Sequence, residues 1–254
     1  MANLLTIDQG NSSAKIAVWN GPELIDEETY TSLDRDSLLA MAQRFAPYRT
    51  LICSVTDNGP RVVGWLRENG FDARLLSVDL PMPLKLSYDA STLGADRIAA
   101  AVGAWSLFPG ENSLVVDMGT AVTYDVVTAD GRFAGGNIAP GVGMRLRALR
   151  SFTARLPEVN GYGETPLFGR DTTTAMRAGA IRGVVAELNY YRWRLPEGTR
   201  IVLTGGWSRR ISEFLDFPVT VDSCLVTKGL LAILLHNEPA GDSVATPCGA
   251  DIRI

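Results

Sequence analysis

Apolar and polar positions along the 254 residues change period repeatedly, and the changes mark out elements. Residues 3–8, 14–19 and 24–30 read as three strands. The first two are separated by "QGNSS", whose Gly and Asn suit a tight hairpin. Helical spacing follows in "DSLLAMAQRFA", with Asp36 as its cap, and then a strand at "TLICSV". A helix beginning near Pro60, "PRVVGWLREN", stops at Gly70 and gives way to a short strand, "ARLLS". The proline-containing loop "DLPMPLKLSYDASTLG" leads into an apolar helix, "ADRIAAAVGAWSLF".

The second half runs the same programme again. Strands are predicted at 113–118, 121–128 and 132–138, and helices at "GVGMRLRALRSF" and "DTTTAMRAGAIRGVVAELNYYRWRL". A strand "RIVLTGG", a helix "SRRISEFL", a strand "PVTVDS" and a helix "VTKGLLAILLHN" complete it, and the tail from Glu238 is expected to be loose. Each half is three successive strands followed by alternating helices and strands. That is an α/β plan with a mixed sheet, and it predicts a duplicated domain. The boundary falls at "PGENS", giving halves 1–112 and 113–254. The length is one at which two domains are expected.

Composition narrows the chemistry. A hydrophobic share of 46% and a charged share of 20% are those of a soluble globular protein. The net charge of −4 argues against nucleic-acid binding by bulk phosphate attraction, though not against a local anion site. Cys53, Cys224 and Cys248 are far apart, and with one histidine they form no zinc set, so a reduced cytoplasm is the simplest location. "MANLLTIDQG" lacks a signal peptide's basic region, and "GLLAILL" is too short to span a bilayer, so no membrane partner is expected. The histidine, His236, stands at a helix end where carbonyl dipoles suit it. Base chemistry therefore falls to a carboxylate.

One short pattern occurs twice. "LLTIDQGNSSAKIAV" at 4–18 and "VVDMGTAVTYDVVT" at 115–128 each run from an apolar strand through Asp-x-Gly and hydroxyl residues into a second strand. Gly10 and Gly119 permit positive φ and close approach of a phosphate, and Ser12, Ser13 and Thr120 offer donors. Asp8 and Asp117 can hold a cation directly or through water, and Lys15 can add charge at the β/γ-phosphates. Asp-x-Gly also simply closes hairpins, but its recurrence at matching places favours two turns gripping ATP across a cleft. "LTGG" at 203–206, between strand and helix, is a further place where backbone can approach a nucleotide.

With these motifs the chain resembles the actin-like ATPase and sugar-kinase superfamily, and within it the type III pantothenate kinases. Asp8-x-Gly10-Asn11-Ser12-x-x-Lys15 resembles the family's D-x-G-N-T-x-x-K motif, and Gly94-Ala95-Asp96-Arg97 its G-x-D-R motif. Asp117-x-Gly119-Thr120 resembles D-x-G-T, and "GGNIAPGVGM" resembles G-G-x-I-x-P-G. The resemblance implies duplicated ribonuclease H-like domains, each with a mixed five-stranded sheet. It implies ATP-dependent phosphorylation of pantothenate to 4′-phosphopantothenate, the first step of coenzyme A biosynthesis, by a homodimer.

Carried over by position, the resemblance makes Asp96 the catalytic base, with Gly94, Ala95, Arg97 and Tyr88 at the pantothenate site. Asp8, Gly10, Asn11, Ser12, Lys15 and Thr120 would serve ATP and its phosphates, with Mg²⁺ at Asp8, directly or through water. Asp117 would ligate a monovalent cation, K⁺ or NH₄⁺, and Thr172, within the run 172–174, would contact pantothenate. From the residues alone, Asp96 equally suits a helix N-terminus or an ion pair with Arg97, whose forked donors also suit a substrate carboxylate. Ser12 stands for the usual Thr and keeps the hydroxyl, while "RAG" at 177–179 replaces the common Gln-Ser-Gly. The alternatives are a non-catalytic regulatory relative of the Bvg accessory factor kind and another small-molecule kinase of the superfamily. Retention of Asp8, Asp96, Asp117 and Thr120 favours the enzyme.

Overall fold

A computed structural model describes residues 2–89 and 91–238. The first sheet begins with an antiparallel meander of β1 (Asn3–Gln9), β2 (Ala14–Asn20) and β3 (Glu23–Tyr30). After α1 (Arg35–Phe45), β4 (Arg49–Ser54) returns parallel to β1, and after α2 (Gly59–Glu68), β5 (Ala73–Leu75) pairs parallel with β4. The strand order is β3-β2-β1-β4-β5. β1 and β4 are covered on both faces, which is why they read as near-continuous apolar runs. The cap of α1 is Asp34, two residues earlier than expected. Its carboxylate accepts from the Ser37 N–H at 2.8 Å, while Asp36 lies in the first turn, where the helix dipole favours an acid.

The second half contributes β7 (Ser113–Met118), β8 (Ala121–Val127) and β9 (Arg132–Pro140), then α4 (Val142–Ser151) and α5 (Thr172–Arg192). It ends with β10 (Arg200–Thr204), a short α6 (Ser208–Ser212), β11 (Thr220–Val221) and α7 (Leu225–His236). The first half also holds β6 (Lys85–Leu86) and α3 (Ala95–Leu107). The second sheet runs β11-β10-β7-β8-β9-β6. Without β6, its order 9-8-7-10-11 matches 3-2-1-4-5 strand for strand.

The expected five strands are therefore six in the second sheet. Lys85 and Leu86 pair parallel with Arg132 and Phe133 and cover the open edge of β9. Two residues inside a loop with Pro81 and Pro83 carry no strand pattern, so nothing local announces β6.

Helices and sheets stack in layers. α1 and α2 cover one face of the first sheet, and α4, α5 and α6 cover the outer face of the second. α3 and α7 lie between the sheets, where Leu4, Trp19 and Leu51 join Val115, Phe133 and Val202 in one core. The two central helices approach backbone to backbone. A Cβ on Gly229 of α7 would lie 1.8 Å from the Ala99 carbonyl oxygen, and one on Gly103 of α3 would lie 2.2 Å from that of Leu225. This contact fixes the N-terminus of α3, where Asp96 stands. His236 ends α7 as expected. Among the described residues no helix is long and apolar enough to cross a membrane. Cys248 and the tail beyond Glu238 lie outside the described residues.

Candidate active site

The two Asp-x-Gly hairpins meet. Ser12 Oγ and Thr120 Oγ1 are 3.1 Å apart, so the β1–β2 and β7–β8 turns close on one another. Asp8 lies at the end of β1 directly across from Lys15 of β2, on the same face. Asp117 lies at the end of β7, paired in register with Thr204 of β10. Gly10 and Gly119 do not use positive φ, contrary to expectation. Their N–H groups are spent inside the turns, on Ser13 O and Ala121 O, both at 2.9 Å. Their contribution is a surface without side chains, beside which Asn11, Ser12 and Ser13 stand exposed.

The "LTGG" turn completes the wall. Gly205 has φ +84°, and a Cβ there would lie 2.4 Å from Asp117 Oδ1, so glycine is demanded twice over. The next N–H but one, of Trp207, donates to Met118 O at 3.2 Å and holds this turn against the second hairpin.

Asp96 occupies the first turn of α3, and its Oδ1 accepts from the Arg97 N–H at 2.8 Å. It is a capping acid as well as the candidate base, because a helix N-terminus stabilises a carboxylate wherever one is placed. Asp8, Asp96 and Asp117 are half-buried at one cleft and act on one another electrostatically. Burial, then the Asp96 charge, pushes Asp8 up to about 7 against the pull of Lys15. Burial, then Asp8, Asp96 and Asp125, does the same to Asp117, also to about 7. Asp96 is raised too, by burial, with the Arg97 N–H and charge opposing. Cys53, fully buried beside Asp8 in register, is raised by burial and by these acids and is inert as a nucleophile.

Arg97 pairs with Asp125 rather than Asp96. The sequence reading missed Asp125, although an acid inside the apolar strand "VTYDVV" was a visible signal. Tyr88, in the preceding loop, packs its ring 5.3 Å from the Arg97 guanidinium carbon, so Tyr88, Arg97 and Asp96 do come together. The segment "GGNIAPG" is held over Thr120, with the Gly141 N–H donating to Thr120 O at 3.1 Å. Arg145 secures it, donating from Nε to Pro140 O at 2.7 Å and pairing with Glu187 at 2.6 Å.

Lys15 takes partners unforeseen in the sequence. Its Nζ donates to Ser223 O at 2.6 Å and pairs with Glu27 at 3.3 Å, while the second Glu27 oxygen accepts from the Cys224 thiol. Thr172 is not tied to the aspartates by any hydrogen bond or ion pair among the described residues. It opens α5 and is exposed, as is Thr173. Thr174 is consumed by capping, exchanging hydrogen bonds with Asp171.

The donor set suits a hard cation. Asp8 and Asp117 offer carboxylates with no hydrogen-bond partner among the described residues, and burial first, then neighbouring acids, raises both. Among the described residues no three acidic, histidine or cysteine side chains form a ready-made metal cage. One or two carboxylates plus water and phosphate oxygens is the coordination Mg²⁺ favours.

Known proteins bear on this arrangement. The family model for type III pantothenate kinase matches residues 4–192. A type III pantothenate kinase of Phocaeicola vulgatus is 40% identical over 238 residues, covering 92% of this chain and 98% of that protein. One of Bacteroides fragilis is 37% identical over 239 residues, with 92% and 98% covered. Among solved structures, a Campylobacter jejuni protein described as a Baf-family transcriptional activator superposes with TM-score 0.63 at 23% identity, covering 92% of this chain and 98% of its own. The activator of 2-hydroxyisocaproyl-CoA dehydratase from Clostridium difficile, with bound ADPNP, gives TM-score 0.55 at 12% identity, covering 92% and 93%. These structures establish the fold alone; the family match over residues 4–192 and relatives up to 40% identical over 92% of the chain show that it belongs to the type III pantothenate kinase family.

Proposed function

We propose that this chain transfers the γ-phosphoryl group of ATP to the terminal hydroxyl of pantothenate, the opening step of coenzyme A biosynthesis. The observation that carries the reading is the meeting of both hairpins at Ser12 and Thr120, in one cleft with Asp96. The hairpin tips hold the phosphates, and Tyr88, Gly94, Ala95 and Arg97 form the wall for pantothenate. Asp96 takes the proton from the substrate hydroxyl as its oxygen bonds to the γ-phosphorus and the bond to the β–γ bridging oxygen breaks, releasing ADP. Bound Mg²⁺ supplies charge neutralisation at the phosphates, and Asp8 is the residue that would hold it through water. Asp117 is the ligand we assign to a monovalent cation, K⁺ or NH₄⁺.

We assign the described parts of halves 1–112 and 113–254 to the two sides of this cleft, with β6 of the first half pairing into the second sheet, and the cytoplasm as the location. We further assign a homodimer. Ile138, Phe152, Phe168 and Trp193, 65%, 88%, 81% and 76% exposed on the second half, are the large apolar side chains we assign to the contact between copies. We assign Thr172, exposed at the start of α5, as a pantothenate contact.

Coupled measurement of ADP release with pantothenate, with and without K⁺, tests the reading. Turnover on a sugar or acetate but not on pantothenate overturns the substrate, and indifference to K⁺ overturns the role of Asp117.

A further inference from the structure

We infer that Asp125 is a positioning residue of the pantothenate site, acting through Arg97; this rests on the substrate reading above. Arg97 directly follows the proposed base and is 5% exposed, and Asp125, inside β8, is 1% exposed. Nε of Arg97 donates to the two Asp125 oxygens at 3.0 and 3.2 Å, and Nη2 donates to Oδ1. The pair thereby occupies the side-on edge of the guanidinium. The rest of the guanidinium meets Tyr88, whose side chain also hydrogen-bonds it, so Asp125 fixes Arg97 and Arg97 in turn seats Tyr88. Fixing one edge also fixes the plane. Arg97 lies against Tyr88 at 5.3 Å and Phe133 at 5.6 Å, and those rings meet edge to face at 5.8 Å.

A buried ion pair is a poor device for stability, because apolar residues of similar volume generally hold a core as well or better. The chain nevertheless makes room for this one. A Cβ at Gly136 would lie 2.1 Å from Asp125 Oδ1 and 2.8 Å from Arg97 Nη2, as well as 2.3 Å from the Tyr124 carbonyl oxygen of the same strand. Three separate segments, 94–97, β8 and the "GGNIAPG" run, are therefore shaped around a single charge pair beneath Tyr88. Without Asp125, Arg97 would turn toward the remaining acids of the cleft, and Tyr88 would lose its seat. Among the described residues neither Arg97 nor Asp125 hydrogen-bonds to the hairpin tips at 10–13 or 118–121, and Asp125 reaches Asp117 only through its charge, so the larger effect falls on pantothenate.

Steady-state kinetics with each substrate varied separately test this. Asp125→Asn keeps an acceptor and removes the charge. It should raise KM for pantothenate about tenfold or more while KM for ATP stays within about twofold. Arg97→Gln should do the same, and the double variant should be no worse than the poorer single one, because both lesions break one device. A folded Asp125→Asn protein with normal KM for pantothenate overturns the inference, as do additive losses or equal rises in both KM values. Should the single variants not fold, Arg97→Met with Asp125→Leu leaves no unpaired charge. That protein should fold, bind ATP normally and be impaired on pantothenate, and wild-type turnover by it overturns the inference. If the unaltered protein does not phosphorylate pantothenate, the substrate reading falls and this inference with it. If it does and the coupling is absent, the inference alone falls.

Discussion

Ser12 and Thr120 stand hydroxyl to hydroxyl at 3.1 Å although 108 residues separate them. They are the tips of equivalent hairpins, one from each sheet, and their contact is where the two halves close around the cleft. A nucleotide whose phosphates enter between the turns must exchange this bond for bonds to its own oxygens.

Thr120→Ala should therefore weaken ATP more than pantothenate. A lost hydrogen bond to a charged phosphate is worth about 1.5–3 kcal/mol, so KM for ATP should rise by about tenfold or more. Ser12→Thr should be tolerated, since it retains the hydroxyl. Initial-rate measurements over an ATP series decide it, and an unchanged KM in Thr120→Ala removes the residue from the nucleotide site.

Asp96→Asn should retain the N-terminal capping contact to the Arg97 N–H while losing the ability to take a proton. The expected loss is about 10²–10⁴ in kcat with nucleotide binding intact, the usual contribution of a positioned general base. Near-wild-type kcat would leave Asp96 as a capping residue only.

Lys15 is shared between Glu27 and the Ser223 carbonyl oxygen, and on the proposed reading the phosphates of ATP compete for it. Glu27→Gln weakens the competitor. A partly exposed pair is worth about 0–1 kcal/mol, so KM for ATP should fall by up to about fivefold. A rise instead would mean that Glu27 holds Lys15 in its working position.

Stability should depend on pH through Asp8 and Asp117, both pushed up to about 7, first by burial and then by neighbouring acids. A carboxyl raised on folding binds its proton more tightly in the folded chain. Its stabilising contribution is complete below the unfolded value of 3.8 and is lost as pH rises through about 7. The ligand-free protein should thus lose up to about 4 kcal/mol per group over that window, less where repulsion lets one proton serve both. Asp8→Asn should flatten the slope. Thermal unfolding from pH 5 to 8 in wild type and variant measures this, and parallel curves would refute it.

Gly229→Ala should destabilise by about 1–3 kcal/mol or more, because the added methyl must displace the Ala99 carbonyl or separate α3 from α7. Urea unfolding reads the loss directly.

Much of this was legible in the residues. The strand and helix order, the duplication and the two Asp-x-Gly turns are local patterns, written in periods of two and 3.6 and in turn chemistry. So were Asp8, Asp96 and Asp117, which the folded chain places within electrostatic reach of one another. Where the sequence was silent, the cause was non-local. β6 exists because β9 would otherwise leave an open edge, and no two-residue pattern announces that. Thr174 could not be separated from Thr172 and Thr173 until its hydroxyl was found capping α5.

Partner choice was decided by the tertiary structure alone. In the sequence, Arg97 stands beside Asp96 and Lys15 stands in a phosphate motif, yet Arg97 pairs with Asp125 and Lys15 with Glu27. A charged side chain carried into a low-dielectric interior takes whichever counter-charge the packing of sheets and helices brings to it. Sequence by itself determined which residue types were available for phosphoryl transfer and at which strand ends. Only the closure of two sheets around α3 and α7 determined which of them share one cleft, because charges interact through space and not along the chain.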